Sequence, residues 1–408
     1  MHLHTKVARF DAAPGDANRP SSTPIYQTAT FEQESALEFG RYDYTRSGNP
    51  TRDVLETRLA ELECGSFGFA LSSGMAAIST LLRAAYSLEG TAAGRGRLVL
   101  GADLYGGTTR LIERLLAPLG VDVQRVDTTS LAAVEAALHS PPPGPTWVLL
   151  ESPSNPLLRV TDIAGVAQLA RKAHARLAVD NTALSPYLQN PLELGANVVV
   201  HSATKHLGGH GDVTAGALVT RDAQLAESIG FLQNAEGSAL APFDSWLLLR
   251  GMKTLAVRVA QESKNALEVA RFLESAPGVQ RVHFPGLACN PGYALQQRQA
   301  RGAGQLVSFE TGNRELSQRL CEETELFSIA VSFGSTNSTI SLPCRMSHAS
   351  VPEEAIAMGR VAALPADLVR LSIGLEDPRD LIEDLKAVLQ RATNSAARTQ
   401  TAPVPIPG

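Results

Sequence analysis

Four short apolar segments in the first half of the 408-residue chain constrain its fold more than any other feature. Each is long enough for one buried strand, and the chain between successive segments is long enough for a crossover helix. Such segments are typical of a parallel sheet covered by helices on both faces. The predicted strands are Arg97–Leu100, Trp147–Leu150, Arg176–Val179 and Asn197–Val200.

Polar or glycine-rich residues follow each of these predicted strands. The four following segments begin at Gly101, Glu151, Asp180 and His201. In open α/β sheets, ligands bind beyond the carboxyl ends of the parallel strands. We therefore expect the functional site at that edge of the sheet.

The character of the sequence divides the chain into four predicted segments. Residues 1–60 are interrupted by proline and glycine, which predicts a loop-rich arm that packs on another subunit. Residues 61–245 hold the predicted strands. Residues 246–392 begin with a long predicted helix, Trp246–Leu273, and continue with short strands and an amphipathic segment, which indicates a smaller α+β domain. Residues 393–408 are rich in Ala, Thr and Pro, and we predict a disordered tail.

Composition and charge exclude several classes of protein. A net charge of −5 without a basic cluster disfavours a nucleic-acid partner. The 44% hydrophobic content excludes a disordered chain, and no window approaches the roughly 18 apolar residues of a membrane helix. The four cysteines lie far apart, which excludes a disulfide framework and a zinc finger. No signal peptide is visible, so we expect a cytoplasmic protein.

Lys205 is the first candidate functional residue. The chain has six lysines against thirty arginines, and Lys205 comes just after the fourth predicted strand, before a glycine-rich turn. An amine, unlike a guanidinium, can lose its proton when desolvated and form a Schiff base. Considered alone, Lys205 is equally well explained as a surface lysine at a strand end.

Other strand ends carry what a pyridoxal phosphate site needs besides a lysine, namely a carboxylate for the ring nitrogen, a phosphate cradle and a ring platform. Asp180 supplies the carboxylate, and Gly74 lies where a helix start can bind phosphate through free N–H groups. Ser202 and Thr204 add hydroxyl donors, and Tyr105 offers the platform. Taken singly, these residues are ordinary helix caps and turn residues. Their order at successive strand ends favours the cofactor.

Three other kinds of site fit the sequence poorly. His201, His206 and His210 lack a neighbouring Cys or acidic ligand, so we expect no metal. No G-x-G-x-x-G follows a strand, which disfavours a dinucleotide fold. The G-x-S-x-G sequence of a serine hydrolase is absent.

Longer motifs resemble the Cys/Met-metabolism family of pyridoxal phosphate enzymes over residues 21 to 390. They are Tyr44–Arg52, Ser73–Met75, Ser202–His206, Ala241–Trp246 and Leu368–Asp377. The resemblance implies the aspartate-aminotransferase fold, PLP fold type I. This is an α/β fold with a large, mostly parallel sheet covered by helices and a smaller α+β C-terminal domain. It also implies a homotetramer of two tight dimers.

The resemblance further implies a role for each matching residue. Lys205 is the Schiff-base lysine, Asp180 the partner of the ring nitrogen, and Tyr105 the stacking residue that helps to deprotonate the incoming amine. The phosphate binders are Gly74, Met75, Ser202 and Thr204, joined by Tyr44 and Arg46 from the neighbouring subunit. The substrate carboxylate is bound by Asn155, Ser332 and Arg370.

Departures within the motifs indicate the reaction. Val331 precedes Ser332 where synthases and γ-lyases of the family commonly have a glutamate, and an apolar side chain cannot bind a distal amino group. Gly107 replaces the cysteine that is typical of methionine γ-lyases. The strings Tyr42–Gly48 and Ser341–Ser350 resemble plant-type cystathionine β-lyases. The implied substrate is a sulfur amino acid, cystathionine, cleaved at its Cβ–S bond to homocysteine, pyruvate and ammonia.

Several alternatives stay open at this point. A γ-eliminating or γ-replacing member, a methionine γ-lyase, a C–S lyase for another cysteine conjugate and a non-catalytic cofactor-binding protein all share most of these motifs. His206 also stands where the family usually has Tyr or Phe, and we expect it to alter the edge of the pocket.

Overall fold

The computed structural model describes residues 2–9, 18–87, 96–346 and 364–400. The end of the string Ser341–Ser350 therefore lies outside the described residues. The strands are β1 Phe67–Leu71, β2 Arg97–Gly101, β3 Asp122–Val126, β4 Thr146–Glu151, β5 Arg176–Asp180, β6 Val198–His201, β7 Gly216–Thr220, β8 Arg281–His283, β9 Leu306–Glu310, β10 Ser328–Ile329, β11 Thr339–Ser341 and β12 Leu368–Ser372.

Helices connect and cover these strands. They are α1 Leu3–Ala8, α2 Pro50–Leu62, α3 Gly74–Ser87, α4 Gly106–Leu111, α5 Leu131–Leu138, α6 Ile163–Lys172, α7 Ser185–Leu188, α8 Ala223–Ala235, α9 Pro242–Met252, α10 Leu255–Ser275, α11 Tyr293–Gln299, α12 Arg314–Glu323 and α13 Pro378–Gln400. A π-helical turn, Ile112–Leu116, and a 3-10 turn, Ala117–Leu119, continue α4.

The first sheet contains, among the described residues, seven strands in the order β1-β7-β6-β5-β4-β2-β3. The neighbours from β6 to β3 are parallel, and β7 runs antiparallel between β6 and β1. The four strands predicted from the sequence are β2, β4, β5 and β6, so the mostly parallel sheet is confirmed. The sequence did not reveal β1, β3 and β7, because β3 is half polar and the other two contain glycine, which lowers strand propensity.

The inner strands of this sheet, β2, β4, β5, β6 and β7, are buried on both faces. Their side chains alternate between two apolar clusters, as the period of two in a strand requires. One cluster contains Val99, Val148, Leu177, Val179 and Val199 and the other Leu98, Leu100, Trp147, Leu149 and Val200. Helices α6, α9 and α10 complete the first cluster, and α3 and α8 the second. The covered faces leave the carboxyl edge of the sheet for a ligand site.

The second sheet has the order β10-β11-β12-β9-β8 in the described part of the chain, with antiparallel pairs from β11 to β8. A third apolar cluster lies between this sheet and helices α10, α12 and α13. The first sheet falls within residues 61–245 and the second within 246–392. The domain boundaries themselves stay a prediction.

The long helix predicted over Trp246–Leu273 is wrong, because the structure divides it into α9 and α10. The break lies at Lys253 and Thr254. There the carbonyl of Gly251 accepts hydrogen bonds from the Thr254 hydroxyl and from Arg258 Nη2, each at 3.0 Å. Side chains that satisfy a backbone carbonyl in this way compete with continuation of the helix.

The two ends of the chain also bear on the prediction. Helix α13 extends to Gln400, and the disordered tail proposed for residues 393–408 stays a prediction. Residues 401–408 lie outside the described residues.

Between residues 18 and 49 the chain forms only an isolated bridge, Thr30 to Tyr44. In the ranges that the structure describes, no helix has the length and apolar character needed to cross a membrane.

Two helical glycines test how tightly α9 packs on the loop that follows Lys205. A Cβ added at Gly251 would lie 2.2 Å from the carbonyl oxygen of Gly208, whereas one at Gly230 in α8 would meet its nearest atom at 3.5 Å. We expect Gly251→Ala to lower the free energy of unfolding by about 1–3 kcal/mol, because backbone must move. Gly230→Ala should raise it by up to about 1 kcal/mol, as in other helices. Urea denaturation measures both, and equal effects would contradict the packing.

Candidate active site

A cavity of about 450 Å³ lies at the predicted edge of the first sheet. It is bounded by the strand ends of β4, β5 and β6, the start of α3 and residues of the second sheet. Ten of the residues predicted from the sequence line it: Gly74, Met75, Tyr105, Asn155, Asp180, Ser202, Thr204, Lys205, Ser332 and Arg370. The structure therefore brings together in one chain all the predicted site residues except Tyr44 and Arg46.

Lys205 lies in the loop that follows β6. Its Nζ donates a hydrogen bond to Ser332 Oγ at 2.5 Å and lies 5.5 Å from the centroid of the Phe333 ring. Burial, reinforced by the positive charge of Arg370, lowers the pKa of Lys205 to about 8. An amine with this pKa is partly unprotonated near neutral pH, so it can act as a nucleophile and as a base.

Asp180 is the last residue of β5. Its Oδ1 accepts hydrogen bonds from the Thr182 backbone N–H at 2.9 Å and from the Thr182 hydroxyl at 2.5 Å. The Thr182 oxygen in turn accepts a bond from the backbone N–H of Ser202 at 2.8 Å. Burial raises the pKa of Asp180, and the bonds from Thr182 oppose that shift. The carboxylate is thus held in one orientation and tied to the lysine loop.

Arg370 places a fixed positive charge at the opposite wall. Its Nη1 donates to Asn155 Oδ1 and its Nη2 to the Ser332 carbonyl, both at 2.9 Å. Burial lowers the pKa of Arg370 to about 10. Among the described residues its buried Nε has no hydrogen-bond partner. A planar guanidinium held in this way suits a carboxylate ligand.

Ser332 connects Lys205 and Arg370 through an unusual backbone conformation. Its φ of 86° lies in the left-handed region, which residues with a side chain rarely adopt. Such conformations cost on the order of 1–3 kcal/mol and cluster at functional sites. The conformation lets the hydroxyl face Lys205 while the carbonyl faces Arg370. Val331, directly before it, is 58% exposed and lines the same cavity.

The start of α3 forms a close-fitting cradle for an anion. A Cβ at Gly74 would lie 2.8 Å from Ser202 Cβ, and one at Gly216 would lie 2.0 Å from the Ser73 carbonyl oxygen. Glycine at both positions lets the first turn of the helix approach the loop that carries Ser202 and Thr204. Backbone N–H groups of a helix start and nearby hydroxyls bind phosphate. With Lys205 and Asp180 in the same cavity, the residues fit pyridoxal phosphate.

Tyr105 lies at the cavity mouth, directly before α4. Its ring folds over Gly107, where an added Cβ would lie 2.5 Å from Tyr105 Cε1. Its backbone N–H donates to Glu151 Oε1 at 2.9 Å. The side chain is 42% exposed, so its ring is available to a ligand as a platform.

Sequence reasoning missed several residues that line the cavity. They are Ile78, Arg110, Glu151, Pro153, Thr182, Ala183, Thr214, Phe333 and Met346. Glu151 and Thr182 belong to the polar segments that follow predicted strands, so the strand-end pattern alone contained their signal. Phe333 gives no such signal, because an aromatic residue in a loop is as often part of a core.

Tyr44 and Arg46 lie elsewhere in the chain. The guanidinium of Arg46 is 5.4 Å from the Tyr44 ring centroid, and both residues line a separate cavity of about 430 Å³. That cavity lies between the N-terminal arm and residues 237–242. Their role in binding the cofactor phosphate at the site of a neighbouring subunit stays a prediction.

His206 does not itself line the cavity, and its effect on the pocket edge stays a prediction. Its side chain is 1% exposed, and its ring centroid lies 5.9 Å from that of Phe333, which separates it from the cavity. Its Nδ1 lies 3.5 Å from Glu262 Oε2. His201 is likewise buried and bonded to Glu63 at 2.6 Å. Over the residues that the structure describes, no three His, Cys, Asp or Glu side chains form a group able to hold a metal.

Comparisons with known proteins identify the family of this chain. The model of the Cys/Met metabolism PLP-dependent enzyme family matches residues 4–390. A chloroplastic cystathionine β-lyase of Arabidopsis thaliana is 48% identical, over 94% of this chain and 78% of the relative. A cystathionine γ-lyase of Bacillus subtilis is 43% identical, over 90% of this chain and 94% of the relative.

The fold comparison agrees as well. A solved structure of cystathionine γ-synthase from Xanthomonas oryzae pv. oryzae, in complex with cystathionine, superposes with a TM-score of 0.90. It is 39% identical and covers 97% of this chain and 99% of its own. The predicted fold type I and the pyridoxal phosphate cofactor are thereby confirmed.

Replacement of Lys205 tests its predicted role. We expect Lys205→Ala to purify without the visible absorption band of the bound cofactor and to lose turnover, because no other lysine among the described residues lines the cavity. Lys264→Ala, at an exposed position of α10, is the matched control and should keep both. Turnover of Lys205→Ala at the rate of the unaltered protein would refute the assignment.

Proposed function

Because the chain belongs to the Cys/Met metabolism family of PLP-dependent enzymes, we propose that this carbon–sulfur lyase hydrolyses cystathionine by β-elimination. The products are homocysteine, pyruvate and ammonia, which places the reaction in methionine biosynthesis by transsulfuration. The single observation that carries the β assignment is Val331. Its exposed apolar side chain lines the cavity beside Ser332, where it offers no acceptor for a distal ammonium group.

The similarity to the plant β-lyase supports the same reaction, at 48% identity. A second candidate is cleavage at Cγ, which the 43% identity to the γ-lyase favours. A methionine γ-lyase or a lyase for another cysteine conjugate would use the same cavity floor. The products distinguish these reactions, since elimination at Cβ yields pyruvate and elimination at Cγ yields 2-oxobutyrate.

Three residues of the cavity have distinct roles in the proposed reaction. Arg370, oriented by Asn155, binds the substrate carboxylate and holds the amino acid beside Lys205. Lys205 Nζ accepts the Cα proton, which its lowered pKa permits near neutral pH, and either it or Tyr105 returns a proton to the leaving sulfur. Pyridoxal phosphate, when bound, supplies the electron sink that makes the Cα proton removable.

The remaining residues would hold the cofactor. The start of α3, with Ser202 and Thr204, would bind its phosphate, and Tyr105 would support its ring. Asp180, oriented by Thr182, would hold a proton on the ring nitrogen. Each of these groups is fixed by hydrogen bonds or close packing in the chain itself, so the site is organised before a ligand binds.

The assembly is proposed to be a cytoplasmic homotetramer built from two tight dimers. The position of Tyr44 and Arg46 supports the proposed dimer. Both residues lie at the exposed side of the N-terminal arm, away from the Lys205 cavity of their own chain. All four cysteines are free thiols in the described part of the chain, which is typical of a reducing compartment.

The ketoacid released from cystathionine tests the proposed reaction. We expect pyruvate, formed together with homocysteine in equal amount, because the substrate loses its sulfur from Cβ. Lactate dehydrogenase coupling and chromatography of the derivatised ketoacids measure it. Release of 2-oxobutyrate would show that the argument from Val331 is wrong and that the enzyme acts at Cγ.

Mixing two inactive variants tests whether the site is shared between subunits. Lys205→Ala and Arg46→Ala should each lose most of the activity alone. Co-expressed in equal amounts, they should recover up to about a quarter of the sites, because a hybrid dimer holds one site with both residues intact. Recovery would fail if Arg46 served only its own chain. Co-expression of Lys205→Ala with Asp180→Ala, both on one cavity wall, is the control and should recover nothing.

A further inference from the structure

Glu151 is a lining residue of the cavity to which neither the sequence nor the proposed mechanism gives a task. It ends β4 and lies in register opposite Asp180, the last residue of β5. Asp103, in the loop after β2, adds a third carboxyl group behind them and accepts a hydrogen bond from Ser154. Three acidic side chains, largely withdrawn from solvent, thus lie within a few residues of the predicted cofactor site.

The carboxyl group of Glu151 faces two loops of the site. Its Oε1 accepts a hydrogen bond from the backbone N–H of Tyr105 at 2.9 Å. The backbone of Asn155 lies near the same carboxyl group and acts to lower its pKa. Tyr105 is the proposed ring platform, and Asn155 orients Arg370, the proposed clamp for the substrate carboxylate. One side chain is therefore bonded to the Tyr105 loop and faces the Asn155 loop.

We propose that Glu151 is a positioning residue that acts as a neutral, protonated carboxyl group, fixing Tyr105 and Asn155 and leaving the negative charge of the pair to Asp180. The roles of Tyr105 and Asn155 rest on the proposed function. The protonated state of Glu151 does not, since it follows from the surroundings of the two carboxyl groups.

These surroundings differ in a way that decides which group keeps the proton. Away from water, ionisation of two carboxyl groups on neighbouring strands costs free energy, because the two negative charges repel each other. Asp180 accepts two bonds from Thr182, and the charges of His201 and Lys205 favour its ionised form. Glu151 faces the negative charges of Asp180 and Asp103. Burial, followed by Asp180, raises the pKa of Glu151 well above its usual range.

The other charged and titratable groups of the cavity do not reverse this order. They are Tyr105, Arg110, Lys205 and Arg370. Arg370 is bonded to Asn155 and Ser332, and Lys205 to Ser332, so neither cation is paired with Glu151. The backbone N–H groups of Tyr105 and Asn155 act to lower the pKa of Glu151, but burial and the negative charge of Asp180 outweigh them.

Stability as a function of pH tests the protonated state in the full chain freed of cofactor. A carboxyl group whose pKa is raised by folding stabilises the protein fully below its unfolded pKa and loses that contribution as the pH rises through the folded value. We expect Glu151→Gln to melt close to the unaltered protein at pH 5 and progressively higher than it towards pH 8, by a degree or more. Glu227→Gln, at an exposed position of α8, should follow the unaltered protein throughout. A melting difference for Glu151→Gln that does not change with pH would overturn the proposal.

A second variant separates positioning from charge. Glutamine keeps an acceptor oxygen for both N–H groups, whereas Glu151→Ala removes it. We expect kcat/KM of Glu151→Ala to fall at least about 10-fold below that of Glu151→Gln, because misplaced loops reduce productive binding. Equal losses in the two variants would mean that the negative charge is required, which contradicts a neutral Glu151.

The two proposals fail in different experiments. If pyruvate is released but the melting difference of Glu151→Gln is flat with pH, only the role of Glu151 is wrong. If the melting difference grows with pH but no pyruvate is released, the protonated Glu151 stands and the proposed reaction is wrong.

Discussion

The candidate site depends on one contact between the two sheets. Ser332, between β10 and β11, accepts a hydrogen bond from Lys205 of the first sheet and another from Arg370 on β12. The lysine and the proposed substrate clamp are therefore held relative to each other by a single residue, in a strained conformation with φ of 86°. A strained residue persists only where its surroundings determine its geometry. Here the surroundings are the side chains of Lys205 and Arg370 and the tightly packed Gly334. A Cβ added at Gly334 would lie 2.8 Å from the backbone nitrogen of His206.

The charges of the cavity are separated by the same architecture. The strand ends of the first sheet contribute the carboxyl groups of Glu151 and Asp180, while Lys205 and Arg370 face each other through Ser332. The positive charge of Arg370 helps to lower the pKa of Lys205, and the proximity of Asp180 helps to raise that of Glu151. On each wall, a neighbouring group of like charge adds to the effect of burial on the pKa of the titratable group. The arrangement brings an amine of lowered pKa and two buried carboxyl groups of raised pKa into one cavity.

The sequence was sufficient to predict the residues whose positions follow from strand ends. Asp180 comes directly after a continuous apolar run, Asn155 and Lys205 lie in the polar segments that follow two others, and parallel topology brings such segments to one edge. Predictions failed where side chains decide the backbone, as at the break between α9 and α10, which Thr254 and Arg258 stabilise through the Gly251 carbonyl. The burial of His206 could not be foreseen either, because its cover, Phe333, is about 130 residues away in the chain and is brought there by packing of the second sheet. Glu151 carried the same strand-end signal as Asp180, but no motif of the sequence gave it a role.

Fold and cavity floor do not determine which bond this family breaks. Proteins named as β-lyase, γ-lyase and γ-synthase are 39–48% identical to this chain, and the synthase superposes with a TM-score of 0.90. On the floor of the cavity, Lys205 is held by its hydrogen bond to Ser332 and Asp180 by the hydrogen bonds from Thr182. Val331 is different, because it is 58% exposed and makes few demands on its neighbours. A residue that lines the cavity without supporting the fold can be replaced without loss of stability. Residues at the rim, such as Val331, can therefore differ between enzymes that cleave at Cβ and enzymes that cleave at Cγ.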